Sequence, residues 1–229
     1  MKEVGNYKVL PMYCNENGII SIKNLTGLML DLAFKQSEKF EKNLSIMDGK
    51  VWLIYSWDIE FLSSIHEKDE IEITTFPTYM KRFYAYRNFE VRRDGEIVAK
   101  AKTSLILFDT EKKRASLIDK KILAAYGENQ ETYAGKAYKE ARDFNKSGKI
   151  QVRRADFDKN HHVNNGIYFD YLREIEGFDE EKISYIKLVY RNEIRKEEEV
   201  LISYKENDNK VDFKIESDIN HAYGVISYV

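Results

Sequence analysis

The chain of 229 residues is long enough for one large domain or two small ones, and 43% of its residues are apolar. A third of the residues are charged, yet the net charge is only −2, which argues against nucleic acid or an anionic membrane surface as a partner. The single cysteine, Cys14, excludes an intrachain disulfide framework and a metal site built from several cysteines.

The first residues, MKEVGNYKVLPMY, lack the apolar core of a signal peptide. No stretch reaches the roughly 18–20 consecutive apolar residues that a membrane span needs. Because a lone cysteine also fits the reducing cytosol, we expect a cytoplasmic protein without a membrane span.

The first half of the sequence predicts one long helix followed by strands. Apolar residues recur at helical spacing at Leu25, Leu28, Met29, Leu32 and Phe40, with Ser21 or Asn24 as the N-cap. From Trp52 to Phe108 the apolar period is two, as expected for strands, and the turn at 93–95 joins the last two strands into a hairpin. Residues 119–149 are polar and contain three glycines, which predicts a linker.

The second half repeats this order, with a strand at 150–153, a polar cluster, a helix from about 164 to 176 and further strands. DEIEI at 69–73 aligns with EEVLI at 198–202, and in a nearby register Val9 aligns with Val152. We therefore interpret the chain as two α+β units, 1–118 and 150–229, joined by the linker.

The two copies differ in their ionisable residues. The same registers align Asp158 with Asn15, His162 with Ile19, and Glu193 with Ser64. Only the second copy has the ionisable set, so we expect one polar site per chain and an apolar receptor in the first unit.

The polar cluster DFDKNHHVNN at 156–165 has two interpretations. Asn164 or Asn165 suits the N-cap of the following helix, but capping does not account for Asn160 or the two histidines. Alternatively, free amides at a helix N-terminus hold negative charge that develops on a carbonyl oxygen, while a histidine and carboxylates activate water. Gly166 would then let a substrate approach the backbone closely.

At this point the sequence resembles a known family. DKNHHVNN at 158–165, followed by Tyr168, resembles the D-x-N-x-H-V-N-N-x-x-Y segment of acyl-[acyl-carrier-protein] thioesterases, the plant-type fatty-acyl thioesterases and their bacterial relatives. YRNE at 190–193 resembles that family's Y-R-R-E, and DGEIVAKAKTSLILFDTEKKR at 94–114 is similar to its first-half hairpin. The resemblance implies an α+β tandem (double) hot-dog fold, in which two copies of a long helix are each wrapped by an antiparallel β-sheet.

The resemblance also implies the reaction, which is hydrolysis of fatty acyl thioesters on acyl carrier protein. The catalytic set that it implies is Asp158, Asn160, His162 and Glu193. Glu193 is the candidate general base, His162 positions the water or protonates the leaving thiolate, and Asn160 anchors either group, although Asp158, His162 and Glu193 can still exchange roles. Ile194 stands where plant members commonly have a cysteine, so we expect no cysteine nucleophile.

Further residues are candidates for substrate binding. The backbone amides of Asn164, Asn165 and Gly166 would form the oxyanion hole. Leu28, Trp57 and Ile59 would line a slot for the acyl chain, although such residues equally suit an ordinary core.

The expected partner is acyl carrier protein, and a homodimer is possible. We expect no metal and no other cofactor, because thioester hydrolysis needs none. The alternatives that remain open are a hot-dog thioesterase acting on acyl-CoA and a non-catalytic acyl-binding sensor, and the sequence gives no acyl chain length.

Overall fold

A computed structural model describes residues 2–127 and 136–229, which form one antiparallel sheet of eleven strands with three α-helices. The strands are β1 (Glu3–Lys8), β2 (Lys50–Phe61), β3 (Glu70–Lys81), β4 (Tyr84–Arg93), β5 (Glu96–Asp109), β6 (Arg114–Ala115), β7 (Lys146–Gln151), β8 (Ile183–Tyr190), β9 (Glu199–Asn207), β10 (Lys210–Glu216) and β11 (Asn220–Tyr228). The α-helices are α1 (Ile22–Glu41), α2 (Lys120–Tyr126) and α3 (Ile167–Tyr171). Single 3₁₀ turns lie at Pro11–Tyr13, Ser45–Met47, Arg154–Asp156, Leu172–Glu174 and Glu180–Lys182.

The order of the strands in the sheet is symmetric about its centre. It runs β1-β3-β4-β5-β2-β8-β11-β10-β9-β7, with β6 paired to β5, so the second half repeats the order of the first from the opposite edge. β1 begins at Glu3 and β7 at Lys146, an offset of 143 residues, while β3 begins at Glu70 and β9 at Glu199, an offset of 129. The same two offsets align Val9 with Val152 and residues 69–73 with 198–202 in the sequence. The repeated strand order confirms the expected tandem hot-dog architecture.

The long helix α1 forms where the apolar spacing predicts it. The side chain of Ser21 accepts a hydrogen bond from the amide of Asn24, so Ser21 is the N-cap. Its buried face packs against β1 and β3 and consists of Ile22, Leu25, Thr26, Met29, Leu32, Ala33 and Gln36. Within residues 2–127 and 136–229, no helix combines the length and the apolar character that crossing a bilayer requires.

The second helix is much shorter than expected. The prediction of a helix over 164–176 is wrong in length, because α3 covers only Ile167–Tyr171 and continues as a single 3₁₀ turn. The offset between equivalent residues of the two copies is 143 at β1 and β7 and falls to 129 at β3 and β9. The second copy therefore has 14 fewer residues between the polar cluster at 156–165 and β8. The chain therefore has to leave the helix early, and it does so through Gly177, whose φ is 77°.

The main hydrophobic core is shared by both halves and lies along the helices and the central strands. Trp57 and Ile59, which were expected to line an acyl slot, are 1% and 0% exposed within it. Full burial of a side chain of this size contributes about 1.5–3 kcal/mol to stability. A second, smaller cluster lies under α2 and contains Met80, Ala85, Leu107, Ile122 and Tyr126.

The segment expected to be a linker contains regular structure at both ends. α2 occupies its start, β7 begins at Lys146, and residues 128–135 lie outside the described part of the chain. Between them, the hydroxyl of Tyr138 lies 2.9 Å from Asp212 Oδ1 and 2.8 Å from the carbonyl oxygen of Gly224. The segment is thus fastened to the second half of the sheet, and the division into units at 118 and 150 stays a prediction.

The two halves join where β2 pairs with β8, over Ser56–Glu60 and Tyr185–Val189. Asp58 is 3% exposed in this junction, and its carboxylate accepts hydrogen bonds from Lys187 Nζ at 2.8 and 2.9 Å and from the hydroxyl of Tyr185 at 2.5 Å. A buried carboxylate is tolerated only when it is paired in this way.

Candidate active site

Three of the four catalytic candidates lie in one closed loop that precedes α3. The amide of Asp158 donates to the carbonyl oxygen of His162 at 2.9 Å, which closes the loop. The backbone and side-chain amides of Asn160 donate to the two carboxylate oxygens of Asp158 at 2.7 and 3.3 Å. His161 is exposed with a φ of 60°, whereas the side chain of His162 is only 24% exposed. His162 is therefore the more buried of the two adjacent histidines, and its place in the catalytic set stays a prediction.

Glu193, the fourth candidate, contacts His162 from the segment that joins β8 to β9. Its Oε2 lies 3.2 Å from His162 Nε2 and also accepts a hydrogen bond from Arg195 at 2.6 Å. The amide of Val163 donates to the carbonyl oxygen of Ile194 at 2.9 Å, which ties this segment to the loop. Glu193 Oε1 has no partner among the described residues, and the side chain is 39% exposed. Water can therefore reach a carboxylate oxygen that has a lone pair available.

The three backbone amides expected to form the oxyanion hole lie just before α3 and at its N-cap. Asn164 N donates to the carbonyl oxygen of Asp156 at 2.8 Å, and Gly166 N donates to Asn164 Oδ1 at 2.8 Å. The N-cap position falls on Gly166, after the expected asparagines. In the described part of the chain, Asn165 N has no acceptor, while the Asn165 carbonyl oxygen accepts from the Tyr190 hydroxyl at 2.8 Å. Of the three amides expected to form the oxyanion hole, that of Asn165 is thus the one without an acceptor among the described residues, and the oxyanion hole itself stays a prediction.

Asp156 supports the loop from below, a role that the sequence did not indicate. It is 1% exposed, and its carboxylate accepts hydrogen bonds from the amide of Arg153 at 2.9 Å and from the hydroxyl of Tyr171 at 3.0 Å. Burial alone would raise the pKa of Asp156, but the hydrogen bonds from Arg153 and Tyr171 hold it below its ordinary value. Asp156 is therefore a structural carboxylate that stays charged.

Two tyrosines line the inner side of the site. The rings of Tyr168 and Tyr190 meet edge to face with centroids 5.2 Å apart. Burial raises the pKa of both hydroxyls well above their ordinary value, so both remain protonated donors at neutral pH. Among the residues that the structure describes, no group of three or more His, Cys, Asp or Glu side chains is arranged to hold a metal ion.

The first half contains the same loop without the ionisable side chains. Asn15 N donates to the carbonyl oxygen of Ile19 at 2.8 Å, Asn17 N donates to Asn15 Oδ1 at 3.0 Å, and Ile20 N donates to the carbonyl oxygen of Ile65 at 3.0 Å. Each of these bonds has its equivalent in the loop at 158–163, at positions shifted by the two sequence offsets. The two copies therefore share the backbone of this loop, while Asp158, His162 and Glu193 occur in the second copy alone.

In this first copy, the amide equivalent to that of Asn165 is occupied. Ile22 N donates to Glu180 Oε1 at 3.1 Å, and Asn15 Nδ2 donates to Glu180 Oε2 at 2.7 Å. Burial raises the pKa of Glu180, although the hydrogen bonds from Asn15 and Ile22 partly offset this. A carboxylate oxygen thus sits where, in the second copy, a carbonyl oxygen of a substrate would be placed.

The apolar candidates for the acyl slot belong to the core. Trp57 packs on Phe89 with ring centroids 5.6 Å apart, Ile59 is fully buried, and the partly buried Leu28 packs against the same cluster. Their role in binding substrate stays a prediction. The sequence did not reveal a separate apolar cleft of about 30 Å³ between α1 and β3–β5, because its lining comes from distant segments. It is lined mainly by Leu30, Ala33, Phe34, Trp52, Met80, Leu105 and Tyr126.

The chain was compared with known families and structures. The sequence profile of the acyl-ACP thioesterase N-terminal domain matches residues 3–126, and that of the C-terminal domain matches residues 138–227. An acyl-ACP thioesterase from Bacteroides thetaiotaomicron is 16% identical, with a TM-score of 0.87 over 100% of this chain and 98% of that one. The 12:0-ACP thioesterase from Umbellularia californica is 17% identical, with a TM-score of 0.85 over 100% of this chain and 97% of that one. No curated protein is significantly similar in sequence.

Proposed function

Because the chain belongs to the acyl-ACP thioesterase family, whose members are thioester hydrolases, we propose that it hydrolyses fatty acyl-[acyl-carrier-protein] thioesters at the site of Asp158, Asn160, His162 and Glu193. The observation that carries this assignment is the contact of 3.2 Å between His162 and Glu193 beside the unused amide of Asn165. A base, an acid and an oxyanion donor are the three parts that acyl transfer to water needs.

Glu193 is the proposed general base. Both of its protein partners bind Oε2, so Oε1 is available to take a proton from water. As that proton leaves, the water oxygen attacks the carbonyl carbon of the thioester and a tetrahedral intermediate forms.

The amide of Asn165 is the proposed oxyanion donor. The neighbouring amides of Asn164 and Gly166 already donate within the protein, so they are not available. The hydroxyl of Tyr190 donates a hydrogen bond to the carbonyl oxygen of Asn165, which fixes the orientation of this residue. A donor that is fixed before the reaction stabilises the developing charge without reorganisation, and one such donor is typically worth about 10²–10³ in rate.

His162 is the proposed acid for the leaving group. When the carbon–sulfur bond breaks, His162 gives a proton to the sulfur, which releases fatty acid and the free thiol of the carrier protein. Glu193 then releases to solvent the proton that Oε1 took from water, and the imidazole of His162 takes up a proton from solvent, which restores both groups for the next cycle. Asn160 holds the carboxylate of Asp158 within the same loop and keeps the loop closed around His162.

The acyl chain is proposed to enter the first unit, towards Leu28, Trp57 and Ile59. Since Trp57 and Ile59 are almost completely buried, side chains must move to admit it. The cleft beside α1 holds only about 30 Å³, which is about one water's share of liquid volume, so it also has to widen. Phe34 lines this cleft and is 49% exposed, which makes it the side chain that can move most easily.

The test is release of free thiol and fatty acid from acyl-carrier-protein thioesters of graded chain length. Wild type is compared with Glu193→Gln and His162→Ala, and we expect turnover to fall by about 10²–10⁴ in each. Ser64→Ala, at the position of the first half that is equivalent to Glu193, is the matched control for Glu193→Gln. Ile19→Ala, at the position equivalent to His162, is the matched control for His162→Ala, and both controls should keep wild-type turnover.

Each other outcome overturns a different part of the proposal. Turnover that survives Glu193→Gln and His162→Ala in folded protein would move the site elsewhere. A clear preference for acyl-CoA would replace the proposed substrate, and binding without turnover at every chain length would mean an acyl sensor.

A further inference from the structure

Glu193 lies outside the helices and strands, and its side chain is 39% exposed. The position of its carboxylate therefore depends on how the surrounding backbone is held. β8 ends at Tyr190 and β9 begins at Glu199, so the residues around Glu193 have left the sheet. On one side the segment is tied to the catalytic loop through Ile194. The support on the other side comes from His221, which neither the sequence motifs nor the proposed mechanism involves.

His221 holds the backbone immediately before Glu193 through three contacts. Its carbonyl oxygen accepts from the amides of Arg191 at 2.8 Å and Asn192 at 3.3 Å. Its ring atom Nδ1 lies 3.1 Å from the carbonyl oxygen of Asn192, which belongs to the peptide bond leading into Glu193. His221 is 2% exposed, so these contacts are shielded from water and the ring cannot touch a substrate.

The direction of the hydrogen bonds follows from the chemistry of the groups. A carbonyl oxygen only accepts, so Nδ1 of His221 must carry the hydrogen that bonds to Asn192. Nε2 of the neutral ring is then an acceptor, and the hydroxyl of Ser217 lies 2.9 Å from it and donates. The Asn192 carbonyl oxygen thereby selects the tautomer with the hydrogen on Nδ1, and the Ser217 hydroxyl, which can donate or accept, adapts to it.

These contacts lie at the point where β8 departs from its partner strand. Tyr190 and Ala222 form the pair at the end of the ladder between β8 and β11, and His221 immediately precedes Ala222 in β11. From here the chain turns towards His162, and a rotation of the peptide before Glu193 would displace the carboxylate. A misplacement of about 1 Å in a catalytic group can cost roughly 100-fold in rate.

We propose that His221 is a positioning residue for Glu193: its Nδ1–H fixes the Asn192 carbonyl and so keeps the Glu193 carboxylate in contact with His162. The inference rests on the proposed function for its kinetic consequence, but not for its geometry. Removing the Nδ1 hydrogen bond should slow the chemical step and leave substrate binding unchanged.

Two variants of similar size separate this hydrogen bond from the packing of the ring. The amide of asparagine reaches the place of Nδ1, so His221→Asn keeps a donor for Asn192. The amide of glutamine reaches the place of Nε2, so His221→Gln keeps a partner for Ser217 and loses the bond to Asn192. We expect kcat to fall by about 10–100-fold in His221→Gln and by less than about 3-fold in His221→Asn, with KM changed by less than about 3-fold in both.

Crystal structures of both variants provide a test that does not depend on activity. The separation of Glu193 Oε2 from His162 Nε2 should stay near 3.2 Å in His221→Asn and lengthen beyond hydrogen-bonding distance in His221→Gln. Equal kinetics in the two variants, or an unchanged separation in both, would overturn the positioning role. If wild type hydrolyses no thioester, the proposed function fails, and the two structures still decide the role of His221.

Discussion

The loop at 158–163 and its counterpart at 15–20 have the same backbone hydrogen bonds, but they differ in the side chains at equivalent positions. In the second copy the loop brings His162 to Glu193 and the amide of Asn165 has no acceptor among the described residues, while in the first copy the equivalent amide of Ile22 donates to Glu180. The difference teaches that one backbone frame can hold different side chains at equivalent positions.

The largest effect should come from truncating the first polar side chain of the second loop, Asp158, compared with the same truncation at Asn15 in the first loop. Asp158→Ala removes the acceptor that holds Asn160 and loosens the loop around His162, so turnover should fall by about 100-fold. Asn15→Ala makes the matching change in the first copy and should leave turnover unchanged. Thiol release under saturating substrate measures both. Equal losses in the two variants would mean that the first copy takes part in the reaction.

A smaller loss is expected when the second copy is made to resemble the first at the tyrosine that holds Asn165. The first-half equivalent of Tyr190 is Phe61, which lacks the hydroxyl. Tyr190→Phe removes the hydrogen bond to the Asn165 carbonyl, and kcat should fall by about 10-fold because the oxyanion donor is no longer fixed. Circular dichroism melting serves as the control, and a kcat at the wild-type level would show that Tyr190 does not position this amide.

The supporting carboxylate of the second copy should affect stability with a definite pH dependence. Asp156→Asn breaks a buried hydrogen-bonded carboxylate and should lower the free energy of unfolding by about 1–3 kcal/mol at neutral pH. Because its folded-state pKa lies below the ordinary value of 3.8, this contribution is present above pH 3.8 and is lost as the pH falls through the folded value. Urea unfolding at pH 7 and near pH 3 should show the difference between variant and wild type shrinking on acidification.

The smallest effect, with the opposite pH dependence, belongs to Glu180, the carboxylate of the second half that binds the free amide of the first copy. The folded-state pKa of Glu180 is raised above 4.5, so its contribution is greatest below pH 4.5 and declines as the pH rises through the folded value. Glu180→Gln should change the free energy of unfolding by about 1 kcal/mol or less and leave turnover intact. A loss of turnover in this variant would place Glu180 in the reaction and break the comparison between the two copies.

The fold was largely readable from the sequence because strand alternation and the repeat are both local patterns. The one clear error, the length of the second helix, could have been avoided, since the two sequence registers differ by 14 residues. That shift already required a deletion between the polar loop and β8. Helical periodicity alone suggested 164–176 because Ile175 and Leu172 continue an apolar pattern, although they pack beyond the end of α3.

The candidate site was readable only in part. Asp158, Asn160 and His162 are close in sequence and so fell into one loop, and Glu193 was found through the family resemblance. The structure brings all four together, but their catalytic roles stay predictions. The residues that hold these segments in place could not be predicted from the sequence. His221 bonds to Asn192, 29 residues away, and Glu180 bonds to Ile22, 158 residues away. No local pattern marks such a pair.

The pairing of β2 with β8 has a consequence for synthesis of the chain. The ribosome completes the first five strands long before β8, and until then β2 is the outer strand of a half-sheet with open backbone groups. Asp58 places a charge on this open edge, which discourages pairing with another nascent chain. When β8 arrives, Lys187 and Tyr185 enclose the same carboxylate. The same carboxylate thus lies at the open edge of the half-sheet and, in the finished protein, in the junction between the two halves.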